Sequence, residues 1–188
     1  MEQSIAGKTN PEVTFLHKWK SIMPDLKAHL IFWPLAFLGL AFDLWSKRAV
    51  FNWLEDHEAY SIIDGFLQLI KAQNNGAAWG IFSGKSILLV SVASIALIAI
   101  IVVFLFSGRQ PKIIHAAMGF FAAGVSGNLY DRFFNDGLVR DFIDVYYHDI
   151  HWPTFNVADS LLSIGVGLLI ISTFFTGKPA QKHDQPQK

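Results

Sequence analysis

From Ser86 to Ser107 the chain carries no charged residue, and the run SILLVSVASIALIAIIVVFLF fills the interval. At about 1.5 Å per helical residue this is long enough to cross a hydrocarbon core of about 30 Å. Three further apolar runs lie between Lys112 and Asp131, between Asp159 and Lys178, and from Leu30 to Trp45, the last interrupted by Asp43. Backbone polar groups in lipid must be satisfied within their own segment, so each run is expected to be a helix even where Val90, Ile95 and Val102 are β-branched. Composition agrees: 52% of the 188 residues are hydrophobic and only 16% are charged, too few charges for a soluble domain of this length.

Lys and Arg set the direction. Lys8, Lys18, Lys20 and Lys27 precede the first span, Arg109 and Lys112 lie between the second and third, and Lys178, Lys182 and Lys188 follow the fourth. The stretches 48–85 and 132–155 are rich instead in Glu55, Asp56, Glu58, Asp64, Asp136, Asp144 and Asp149. The positive-inside rule then places both termini in the cytoplasm and both long loops outside. No small-x-small cleavage site follows the first span, so it is expected to stay attached.

The expected fold is an all-α membrane protein of four transmembrane helices with a small β-sheet and loop on the outer face. The spans are 30–47, 86–106, 113–131 and 156–176, within a membrane domain of 29–177. Residues 1–28 and 178–188 are cytoplasmic tails, and 48–85 and 132–155 are the outer loops. Phe66–Gln73 and Val139–Tyr147 lack helical periodicity and are rich in aromatic or branched residues, which predicts short strands. Glu55–Tyr60 reads as a surface loop or a short interfacial helix.

Several chemistries are excluded or weakened. Fifteen Lys+Arg against fifteen Asp+Glu leave no basic surplus for nucleic acid, and the absence of cysteine removes disulfides, thiol nucleophiles and thiolate metal sites. Gly124-Val125-Ser126-Gly127 has the G-x-S-G pattern of an intramembrane serine protease. The His such a protease needs on a separate later helix is missing, and His115 lies on the same helix as Ser126, about three turns away. His148, Asp149 and His151 lack metal-ligand spacing on a helix, and no H-E-x-x-H occurs, so no metal is expected.

Polar residues gather instead at one level, the outer helix ends. Asp43 and Lys47 close the first span, Asn128, Asp131 and Arg132 the third, and Asn156 and Asp159 open the fourth, with Asp141 in the strand before it. Each has an ordinary structural explanation too. Asp43 and Lys47 are spaced as an intrahelical ion pair, Asn128 with Asp131 and Arg132 as an interfacial snorkelling face, and Asn156 as an N-cap with Asp159 in its first turn. Gln73–Gly80 reads by default as a turn in which Asn-Gly invites positive φ. A proton-coupled transporter also places Asp, Asn and Arg in a bundle, but would be expected to carry them at mid-depth or on broken helices.

Five stretches taken together resemble one family, in its order and at its spacing. DLWSK (43–47), NNGAAWG (74–80), GNLYDR (127–132), VRDFIDV (139–145) and FNVADS (155–160) are similar to the motifs of bacterial lipoprotein signal peptidase, or signal peptidase II. The resemblance covers residues 30–177. Trp79 stands where Phe is commoner, and the N-terminal tail is longer than usual.

The resemblance implies a cofactor-free aspartic endopeptidase of the bacterial plasma membrane, with its active site at the outer face. It would cut diacylglyceryl-prolipoprotein N-terminal to the lipidated Cys, working as a monomer among membrane lipids. It implies Asp141 and Asp159 as the catalytic pair, with Asp131 and Asp144 in supporting positions. Asn74, Gly76, Asn128, Arg132 and Asn156 would line the site and hold substrate or dyad, while Asp43 and Lys47 brace the architecture.

Overall fold

A computed structural model describes residues 22–77 and 80–176. Four helices in it are long and apolar enough to cross a membrane: α1 (Leu26–Trp53), α2 (Ser86–Leu105), α3 (Lys112–Phe134) and α4 (Val157–Thr176). The strands β1 (Ala59–Ile63), β2 (Leu67–Asn74), β3 (Val139–Tyr147) and β4 (Ile150–His151) form an antiparallel sheet in the order β1-β2-β3-β4. Both sheet segments connect the C-terminal end of one helix to the N-terminal end of the next, so sheet and polar helix ends share one end of the bundle.

The middle of the bundle is α3, which packs against α1, α2 and α4. Its small residues allow this. A Cβ at Gly124 would sit 2.6 Å from the Ala158 carbonyl oxygen, so α3 and α4 touch almost backbone to backbone. The outermost helix, α2, buries little besides Phe104, whose ring stacks on Phe32 with centroids 3.9 Å apart. Ile87, Val92, Ile95, Ile98 and Val102 are exposed, as suits a lipid-facing surface.

The strands at 67–74 and 139–147 and the last three spans match the sequence reading to within three residues at each end. The first helix does not. It begins four residues before 30, where Asp25 accepts the Ala28 N–H at 2.9 Å as N-cap, and continues six residues past Lys47. Val50 and Leu54 pack on Phe142 beneath the sheet, which carries the helix beyond its apolar run. Asp43 and Lys47 therefore do not lie at the helix end, and the loop expected from residue 48 starts as helix.

Glu55–Tyr60 is not helical, and its last two residues already belong to β1, where Ala59 pairs with Ile70 and Tyr60 with Leu69. Most of the expected N-terminal tail, the whole C-terminal tail, and Trp79 lie outside the described residues.

Candidate active site

The last helix begins with a reciprocal cap. Asn156 Oδ1 accepts the Asp159 N–H at 3.0 Å, and Asp159 Oδ2 accepts the Asn156 N–H at 3.2 Å. A third backbone donor of this helix end, Ala158 N–H, is taken at 2.8 Å by Asp43 Oδ1 from the first helix. Asn156 is thus an N-cap, and Asp159 the N3 acid of a capping box. This leaves Asp159 Oδ1 facing Asn128 Nδ2, which donates to it at 2.8 Å.

Asp141 arrives from β3. Asn156 Nδ2 donates to Asp141 Oδ1 at 2.6 Å and also lies 3.1 Å from Asn128 Oδ1, so the Asn156 carboxamide joins both carboxylates to one network. Burial pushes the Asp141 carboxyl up to about 7. The Asp159 charge adds to the rise, while hydrogen bonds from Asn156 and Asn74 hold it down. Such a group keeps its proton close to neutral pH, as an acid partner to a second carboxylate requires.

Behind these groups lies a buried ionic cluster. Lys47 Nζ stands 2.8 Å from Asp43 Oδ2, 3.2 Å from Asp131 Oδ2 and 3.1 Å from Asn128 Oδ1, with all three charged side chains fully buried. Asp131 also accepts from Arg140 Nε at 3.1 Å, Arg140 Nη2 at 2.5 Å and the Arg140 N–H at 2.9 Å. An intrahelical pair alone thus understates Lys47, and snorkelling does not describe Asp131. Lys47 also determines which way the Asn128 amide points: its oxygen faces the cation, so its nitrogen faces Asp159. Glycine at 127 makes room, since a Cβ there would meet the Asp43 carboxylate carbon at 2.9 Å.

Asp141, Asp159, Asn74, Gly76, Asn128 and Arg132 line one cavity of about 1040 Å³. Arg132 Nη2 donates to the Gly76 carbonyl at 2.6 Å and Nη1 to the Gly137 carbonyl at 3.1 Å, tying the loop after β2 to the turn before β3. In that loop Asn74 Oδ1 accepts the Gly76 N–H at 2.8 Å. The expected positive φ falls at Gly80 (+71°) and not at Gly76. Gly76 is constrained by space: a Cβ would lie 2.9 Å from the Gly80 carbonyl. Asn156 is fully buried behind the cavity, as are Asp43 and Lys47.

Other candidates are placed elsewhere. Asp144, three residues along β3 and so on its opposite face, meets Gln68 Nε2 at 2.6 Å and His151 Nδ1 at 2.8 Å. His115 Nε2 lies 3.2 Å from Ser107 Oγ and is not paired with Ser126. Arg140 escaped the sequence reading, although a lone Arg inside an apolar strand signals a buried partner. The sequence reading also does not single out the cavity-lining segment Trp152–Thr154. Nothing in its composition separates it from an ordinary loop.

Four helices long and apolar enough to cross a membrane, with a polar cavity beside the sheet, define a multi-pass membrane protein. The chain belongs to the signal peptidase II (SPase II) family, whose pattern it matches over residues 35–175. The lipoprotein signal peptidase of Halalkalibacterium halodurans is 32% identical over 153 residues, 81% of this chain and 97% of that one. That of Rhodopirellula baltica is 36% identical over 161 residues, covering 78% and 72% of the two chains. Among solved structures, a bacterial membrane enzyme determined in meso at 2.3 Å superposes with a TM-score of 0.70 at 33% identity, covering 82% of this chain and 92% of that one. A second, at 1.9 Å, gives a TM-score of 0.69 at 32% identity, covering 84% and 99%.

Proposed function

We propose that the protein is an aspartic endopeptidase that removes signal peptides from diacylglyceryl-prolipoproteins, cutting N-terminal to the lipidated Cys. The observation that carries this reading is the joining of Asp141 and Asp159, from a strand and a helix cap, through the amides of Asn156 and Asn128 at one cavity. Two nearby carboxylates in a poorly hydrated site cannot both ionise cheaply, so the pair keeps one proton. The ionised member takes a proton from a water as that water attacks the scissile carbonyl. The protonated member gives its proton to the carbonyl oxygen; on collapse of the tetrahedral intermediate the first carboxyl passes the water-derived proton to the leaving amine, and the hydroxyl proton returns to its partner. Arg132, Asn74 and Gly76 hold the substrate backbone along the cavity.

The charge asymmetry of the loops supports termini in the cytoplasm and the sheet end at the periplasmic face of the inner membrane. There the substrate's acyl chains stay in the bilayer while the bond beside the Cys reaches the helix ends. Asp43, Lys47 and Asp131 act as supports, the enzyme works as a monomer among membrane lipids, and the reaction uses no metal or cofactor. The test is cleavage by the purified protein in lipid. A diacylglyceryl-modified prolipoprotein should yield a mature form beginning at the lipidated Cys by mass spectrometry, and the unmodified precursor should remain intact. Equal cleavage of both, or cleavage elsewhere, contradicts the reading.

A further inference from the structure

Asp144 is buried, yet the proposed chemistry does not use it. It sits where three strands meet. Gln68 is its direct partner on β2, and His151, opposite Tyr146 on β4, is its diagonal neighbour. Both reach its carboxylate, Gln68 Nε2 at 2.6 Å and His151 Nδ1 at 2.8 and 3.1 Å from the two oxygens. The His151 ring also stacks on Tyr146, with centroids 5.4 Å apart and 13° between planes.

The strand that carries His151 is weak by itself. β4 has two residues and two pairings, Tyr146 with His151 and Tyr147 with Ile150, around a turn in which His148 has a φ of +53°. A hairpin this short is marginal without side-chain support. The chain leaving β4 enters the site directly: Trp152, Pro153, Thr154 and Phe155 line the cavity that holds Asp141 and Asp159. This segment is fastened at its far end by the Phe155 N–H to the Ile143 carbonyl at 3.1 Å, and at its near end by the Trp152 N–H to the Val145 carbonyl at 2.8 Å, next to His151.

We propose that the Asp144–His151 pair positions the Trp152–Phe155 wall of the cavity, making His151 a determinant of how tightly the substrate peptide is held. The inference rests on the peptidase reading for its substrate and on sheet geometry for the rest. Trp152 and Pro153 offer an apolar surface to a peptide stretched along the cavity. A wall already in place costs no ordering when substrate binds, whereas a released wall must be ordered at that moment. Because the bond lies on the far face of β3 from Asp141, its loss is felt in binding and not in the chemical step.

The test separates the donor from the ring. His151→Phe keeps a ring over Tyr146 but loses the hydrogen bond; His151→Asn keeps a donor near the Nδ1 position but loses the ring. His151 is half exposed, so neither leaves a cavity in the fold. In a cleavage assay on diacylglyceryl-prolipoprotein, His151→Phe should raise KM about tenfold, equivalent to about 1.4 kcal/mol. Its kcat should stay near the wild-type value, and His151→Asn should restore KM.

An unchanged KM in His151→Phe, or a loss confined to kcat, overturns the proposal. A second measurement does not need activity. The chain has no cysteine, so Thr154→Cys offers a single site for a spin label. Label mobility should increase in the His151→Phe background and not in His151→Asn, while equal mobility in all backgrounds overturns the proposal. If the wild-type protein cleaves no substrate, the peptidase reading fails, and label mobility still decides the role of the pair.

Discussion

Asn156 and Asp159 satisfy one another's backbone: each side chain accepts the other residue's N–H, at 3.0 and 3.2 Å. The carboxylate that starts a helix is thereby held against rotation. The remaining Asn156 donor, at 2.6 Å from Asp141, is aimed by the same lock. A structural cap and a reactive pair are one arrangement here.

These two uses of Asn156 can be separated. Serine caps a helix about as well as asparagine but is too short to reach Asp141. Asn156→Ser should therefore keep its thermal midpoint within about 3 °C, the shift expected from about 1 kcal/mol at this size. Its kcat should fall about tenfold or more, as for leaving one buried polar group without its hydrogen-bond partner. Unfolding and cleavage measured on the same preparation check both.

The raised Asp141 value fixes the sign of two pH effects. Cleavage that needs its proton should decline on the alkaline side, with a midpoint near 7. Stability should move the same way. Between the ordinary 3.8 and about 7 the folded protein holds a proton the unfolded chain has released, so stability falls as pH rises through that window. Asp141→Asn should flatten that slope in unfolding measured across pH.

Lys47 neutralises two fully buried carboxylates, Asp43 and Asp131. Lys47→Met should destabilise the protein by about 3–5 kcal/mol, the usual effect of stranding a buried charge. Adding Asp43→Asn should recover part of that loss in thermal unfolding, because one stranded charge is removed.

Space around Gly76 is closed by the Gly80 backbone. Gly76→Ala should displace the loop that Arg132 grips and lower cleavage, with an overpacking cost of about 1–3 kcal/mol. Gly167, which has open space around it and no positive φ, is the comparison for a glycine-to-alanine change without crowding.

Cross-bilayer helices were legible because an uncharged run in lipid has few alternatives to α-helix. The extension of α1 past Lys47 was not, since it depends on Val50 and Leu54 meeting Phe142, some ninety residues away. β1 was hidden by its charged approach, Glu55 to Glu58, and exists because β2 pairs with it. The cap at Asn156 could be read locally, as its partners lie three residues apart. The contact from Lys47 to Asn128 spans 81 residues, and spacing within either helix says nothing of it.

The most direct test of the account is prolipoprotein cleavage by four single variants, each first shown to be inserted and folded. Asp141→Asn and Asp159→Asn should each abolish processing, while Asp136→Asn and Asp149→Asn should process at the wild-type rate. Full activity in either Asp141→Asn or Asp159→Asn would contradict the two-carboxylate mechanism.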